Sequence, residues 1–126
     1  MKTVVIVVMI PLLIGAFGFW SYMLVKNSAL EVIRSLDALI NAIEQEDWSE
    51  AADCSHLLQN AWDKASSVWE PFKEHDEIDA LFEMIIRTQF FAARHQREEA
   101  LAEAKVARSF AHHMYQSDLP GLGNIF

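Results

Sequence analysis

One stretch of this chain constrains everything that follows it. Residues 3–25 carry no charged side chain. As a helix rising about 1.5 Å per residue, they would be roughly 34 Å long, enough to cross a hydrocarbon core of about 30 Å with some tilt. Lys2 and Lys26 mark the two ends and can reach headgroups. Trp20 and Tyr22 fall near the C-terminal end, where amphipathic rings favour the interface. Pro11 is tolerated in such a helix, and Gly15 and Gly18 fall one residue short of the GxxxG pairing motif.

A cleaved signal peptide is the competing reading. Lys2, the apolar residues 4–14 and Ala16-Phe17-Gly18 resemble a charged end, a core and a small-x-small cleavage site. The hydrophobic run does not stop there, however. Phe19, Trp20, Tyr22, Met23, Leu24 and Val25 continue it well past the about 7–15 residues of a signal core. The expectation is a retained signal anchor over residues 1–26, making a single-pass protein of the cell membrane. Its contact with the bilayer is through residues 3–25. The short N-terminus stays inside, so the following domain lies outside the cytoplasm.

Charge is segregated from that span. All 18 Asp and Glu lie after residue 30 with eight of the ten Lys and Arg, a formal −10 against −8 for the whole chain. A field of that sign repels phosphate backbones, so nucleic acid is excluded as a partner. The single cysteine, Cys54, supports no disulfide framework and is expected to pack as a small apolar residue.

Residues 27–118 read as an all-α domain. Pro71 is the sole proline between residues 28 and 119, and no glycine occurs there. A first helix is expected at about 28–46, opened by the capping box Ser28-Ala29-Leu30-Glu31 and striped by Ile33, Leu36, Ile40 and Ile43. Nothing between Val25 and Ser28 forbids it from continuing the membrane helix. A second begins at Asp47-Trp48-Ser49-Glu50, with Ala51, Ser55, Leu58, Trp62, Ala65 and Trp69 inward, and ends at Pro71. A third runs from 75 or 76 to about 95 with Ile78, Leu81, Phe82, Ile85, Ile86 and Phe90 as its apolar face. A fourth spans about 97–116 with Leu101, Ala104, Ala107, Ala111, Met114 and Tyr115 inward. Four amphipathic stripes on short links predict an up-and-down four-helix bundle after the transmembrane helix. Trp62 and Trp69 belong in its seam, and Trp62→Ala should cost about 3–5 kcal/mol. Glu50-Ala51 and Glu99-Ala100 recur at equivalent places in the two hairpins, which reads as repeated helix-start chemistry.

Catalytic chemistry is hard to find. A di-metal bundle needs two Glu-x-x-His motifs, whereas this chain offers only Asp53-Cys54-Ser55-His56. His112 and His113 are adjacent and point about 100° apart on a helix. The acidic stretch Glu74-His75-Asp76-Glu77-Ile78-Asp79 reads first as a helix start stocked with acids, which its free N–H groups favour. No nucleophile–base pair or phosphate loop is recognisable, so the chain reads as a non-enzyme with no catalytic, cofactor or metal residues.

A lone N-terminal membrane helix, then Trp62, Trp69, the segment His75-Asp76-Glu77-Ile78-Asp79 and a terminal Asn124-Ile125-Phe126 together form a pattern. In these features the chain resembles a family of small bacterial membrane proteins known as domain of unknown function forty-three sixty-three, common in spore-forming Gram-positive bacteria. The resemblance implies the anchor and the helical fold, implies no activity, and suggests a multi-pass membrane protein as partner. Candidate structural or interaction residues are therefore His75, Glu77, Ile78, Asp79, Trp62, Trp69, Asn124, Ile125 and Phe126. Residues 119–126 are expected to dock Ile125 and Phe126 on the bundle, near the corner of helices 2 and 3 or at its end. The leading expectation is a non-catalytic interaction module or accessory subunit of a membrane complex. The alternative is an extracytoplasmic sensor or small-ligand-binding bundle. A third is a metalloenzyme on His56, His75 or His95. Homo-oligomerisation stays open.

Overall fold

The computed structural model describes residues 1–116, so Asn124 and the expected docking of Ile125 and Phe126 lie outside the described residues. Four helices account for nearly all of it: α1 (Lys2–Glu44), α2 (Trp48–Trp69), α3 (His75–Ala93) and α4 (Arg97–Gln116). Among the described residues there is no strand. Helix α1 packs on α2 and on α4, and α4 packs on α3. The α2–α3 edge is the loosest of the four. This is the expected up-and-down bundle, and of the two starts left open for its first helix the structure has the continuous one.

The anchor and the first bundle helix are a single helix of 43 residues. At about 1.5 Å per residue that is a rod of roughly 65 Å. Residues 1–20 are exposed along it, and the buried positions begin at Val25. Ser28 is therefore not a helix cap. It sits in the helix interior, where its Oγ donates back to the Leu24 and Val25 carbonyls at 2.8 and 3.0 Å. A helix runs on where no proline or glycine interrupts it, and residues 19–44 contain neither.

Helix α1 buries Val25, Ala29, Val32, Leu36, Leu39 and Ile43, a regular 4-3-4-3-4 seam. The expected stripe was displaced by one position at Ile40, which flanks the seam that Leu39 fills. In α2 the same correction puts Cys54 in the core and leaves Ser55 half-buried. In α4, Ala100, Ala104, Ala107 and Ala111 are fully buried at 4-3-4 spacing. Such small side chains leave little between helix axes, so α4 fits closely between α1 and α3.

Both hairpin turns that point away from the apolar half of α1 use one device. Glu46 and His95 take left-handed backbone angles, with φ of 56° and 57°. In each, the next residue's N–H reaches back over the helix end: Asp47 to Ala42 at 3.0 Å and Gln96 to Phe91 at 2.9 Å. This is the Schellman closure, made here without glycine. The resemblance of the two hairpins thus lies in their turns. Asp47 then caps α2, its side chain accepting from the Glu50 N–H at 3.2 Å.

Helix α2 ends at Trp69, close to Pro71, but not by the expected route. Glu70, just before the proline, keeps helical angles of φ −49° and ψ −45°. The helix stops because Pro71 has no N–H to continue the ladder. The Phe72 and Lys73 N–H groups both turn back to the Trp69 carbonyl at 2.8 Å, closing the corner that leads into α3.

Candidate functional site

The residues singled out from sequence fall into two groups. Trp62, Trp69 and Ile78 are core. Trp69 is fully buried, and its Nε1–H donates to Ser28 Oγ at 2.8 Å, tying α2 to α1. Trp62 meets Trp69 edge-on at 5.7 Å and stacks on Phe82 at 5.7 Å, linking α2 to α3. These geometries are the favourable ones for aromatic pairs. Ile78 points inward from the first turn of α3.

His75 and Asp79 are exposed, and Glu77 is half-buried. The N-cap Glu74 makes no side-chain capping bond, and Asp76 and Glu77 occupy the first turn. Their carboxylates complement the positive end of the helix dipole. The His75–Asp79 segment thus divides by period: one aliphatic residue anchors the helix start, and the polar ones face solvent.

The acidic helix start lies beside the α2–α3 corner. The same corner holds a contact that sequence reasoning missed. The ring of Phe72 lies 6.3 Å from that of Phe17, which in turn is 5.9 Å from Trp20. Phe17 belongs to the uncharged stretch, so this end of the bundle faces the apolar half of α1. The two Schellman turns lie at the opposite, distal end.

At that distal end α2 and α3 separate into a groove of about 550 Å³. Its walls include Trp48, Ser55, His56, Gln59, Gln89 and His95. Gln89 spans it, Nε2 donating to the Ser55 carbonyl at 3.2 Å and to Gln59 Oε1 at 3.3 Å. Trp48 and His95 stack across its end, 4.6 Å apart and 6° from parallel. The sequence signal was present, because Ala51, Ala52, Ala92 and Ala93 also line it and fill little space. His56 and His95 share this groove, whereas His75 begins α3 at the other end, so the three histidines do not converge. Among the described residues no group of three or more His, Cys, Asp or Glu is placed to hold a metal ion.

Along its α2-facing edge α3 carries a partly exposed apolar ridge, of which Phe82 is covered on one side by Trp62. Phe82, Ile86 and Phe90, at four-residue steps, are 37, 45 and 52% exposed. All three were expected inside. The buried line of α3 is instead Ile78, Leu81, Ile85, Thr88 and Ala92. Thr88 is accommodated because its Oγ1 donates to the Met84 carbonyl at 2.8 Å. Arg94 lies over the Phe90 ring at 5.0 Å.

Exposed ion pairs knit the outer surface. Arg87 meets Glu103 at 3.2 Å across α3–α4, and Arg108 meets Asp37 at 2.5 Å across α4–α1. Each such pair contributes under about 1 kcal/mol. Cys54 is buried, and burial first, then the Glu50 carboxylate beside it, pushes its thiol above the ordinary 9.0. That places it far from an activated nucleophile.

A family model described as Domain of unknown function (DUF4363) matches residues 19–125, which takes in every bundle residue from Val25 onward. Neither a curated protein nor a solved structure matches the chain.

Proposed function

The chain belongs to the DUF4363 family, and from that premise we propose that it is a membrane-anchored, non-catalytic helical module that holds a partner at the bilayer surface. Helix α1 carries the proposal. Its first half contains an 18-residue window of mean hydropathy 2.4, none of it buried, long and apolar enough to cross a membrane. Its second half is a wall of the bundle, with no break between the two. A rigid rod of this kind fixes the bundle's height and orientation, which a flexible linker would not.

Retention of the anchor is favoured by the Phe17–Phe72 contact, since cleavage at the small-x-small site would remove or free Phe17. The proposal puts the module outside the cytoplasm on the topology argument above. Cys54 is a poor reporter of sidedness because its thiol is buried, so an exposed cysteine such as Ser49→Cys is the one to label.

The face offered to a partner is the α3 ridge of Ile86 and Phe90, continued by the side of Phe82 that Trp62 does not cover. Exposed aromatic and aliphatic side chains in a row suit a helix of another membrane protein. The test is purification of tagged full-length protein in mild detergents, comparing wild type with Ile86→Glu/Phe90→Glu. A stoichiometric membrane protein should accompany the wild type and be lost from the variant while helical circular dichroism is retained. Equal recovery from both, or recovery of the tagged chain alone in several detergents, would refute the reading.

The α2–α3 groove favours a second reading, a bundle that binds a small molecule. A groove of about 550 Å³ with alanine walls, a glutamine across it and an aromatic stack at one end is of ligand size. A thermal shift of several degrees with one class of metabolite would promote it over the first.

A further inference from the structure

We propose that the α2–α3 corner is a second membrane contact, with Phe72 seated at the headgroup–acyl boundary of a zwitterionic bilayer. The inference rests on the anchored reading of α1 and adds a surface to it. Phe72 is half-buried, and its ring lies 6.3 Å from Phe17. Phe17 lies eight residues before Val25, the first buried position of α1. At about 1.5 Å per residue, the bundle's lower edge therefore reaches roughly 12 Å below the level where its core begins.

The length of the apolar segment then sets where that edge lies. About 20 residues are needed to cross roughly 30 Å, which from Thr3 runs to Tyr22. Phe17 is then roughly 7 Å inside the hydrocarbon boundary, and the ring packed on it, 6.3 Å away, lies no higher than about that boundary. Were the corner held in water, Phe17 would rise with it. The span would shrink to residues 3–16, about 21 Å, some 9 Å too short. The unbroken helix removes the alternative in which a flexible joint lifts the bundle away.

Side chains around the corner agree with a shallow seat. Phe17, Trp20 and Phe72 form an aromatic group where such rings prefer to lie. Glu70, Glu74, His75 and Asp76 are exposed beside it, so depth is limited to the interface. Those carboxylates also disfavour an anionic surface, which selects the zwitterionic lipid.

The experiment uses the full chain in phosphatidylcholine vesicles, with Cys54→Ala as background. Single cysteines Ile10→Cys, Glu70→Cys and Ser49→Cys mark mid-span, corner and distal end, and each carries an environment-sensitive fluorophore. Lipids bearing a nitroxide high on the acyl chain should quench the labels at 10 and 70 and spare the one at 49. Quenching at 10 with none at 70 overturns the corner contact and leaves the anchor standing. Absence of quenching at 10 overturns the anchor, and the corner contact with it. Inserting four leucines after Leu13 in the Glu70→Cys chain lengthens the span below the corner by about 6 Å and should at least halve quenching at 70, with helical circular dichroism retained. Unchanged quenching would show that the label, not the length of α1, sets its depth, and would overturn the proposal.

Discussion

Ser28 is where sequence and structure predict opposite outcomes for one substitution. As a helix N-cap it would tolerate aspartate, since Asp and Ser cap about equally well and the exchange would change stability by well under 1 kcal/mol. As the structure has it, Ser28 is buried in the middle of α1, accepts the Trp69 Nε1–H at 2.8 Å, and donates to backbone carbonyls. Aspartate there would bury a carboxylate facing carbonyl oxygens, with one indole N–H as its partner. Burying a poorly compensated charge costs several kcal/mol, even with partial relief by protonation. Ser28→Asp should therefore destabilise the bundle by about 3 kcal/mol or more. Ser28→Ala leaves the Trp69 N–H without an acceptor, a cost of about 1–3 kcal/mol. The gain in helix propensity returns about 0.5 kcal/mol. A domain of this size shifts by about 4–8 °C per kcal/mol, so the alanine variant, with a net loss of about 0.5–2.5 kcal/mol, should melt roughly 2–20 °C lower and the aspartate variant lower still. The assay is thermal or denaturant unfolding of the full chain in detergent, followed by circular dichroism. A double-mutant cycle with Trp69→Phe isolates the bond, because the pair should recover part of the Ser28→Ala loss. If Ser28→Asp melts with the wild type, the continuous buried helix is refuted and a helix boundary at Ser28 is restored.

Three further outcomes follow from the geometry. Glu46→Gly should raise stability by about 0.5–1 kcal/mol in the same assay, because φ of 56° strains a side chain and suits glycine. Ala104→Leu should lower it by about 1–3 kcal/mol or more, because a fully buried alanine between close helices has no room for three extra carbons. Cys54 makes stability depend on alkaline pH: its thiol is raised above 9.0 in the folded state, so its stabilising contribution is complete below that value. It is lost as pH climbs from there through the folded pKa, since the unfolded chain releases the proton first. Unfolding curves of wild type and Cys54→Ala compared between pH 8 and pH 11 should diverge in that sense only.

The sequence by itself determined the all-α class, each helix end from α2 onward to within about two residues, and the apolar reach of the first segment. These depend on local chemistry: period, caps, and the absence of glycine and proline. The Asp47 cap and the acids opening α3 act within one turn of their own residue, so they are legible without neighbours. Trp62 and Trp69 were legible as core because their size leaves few other places for them. Tertiary structure alone decided the rest. It settled that the anchor and first bundle helix are one, because Ser28 can read as a cap or as an acceptor until Trp69, forty-one residues away, arrives to donate to it. It decided that Ile86 and Phe90 remain outside and that Phe82 is covered only on its Trp62 side, because α3 packs chiefly on α4 and only lightly on α2, which narrows the face it can bury. And it brought Phe72 against Phe17, fixing how close the bundle rides to the apolar segment. Periodicity says which residues share a helix face, but which neighbour covers that face depends on contacts between residues far apart in the chain.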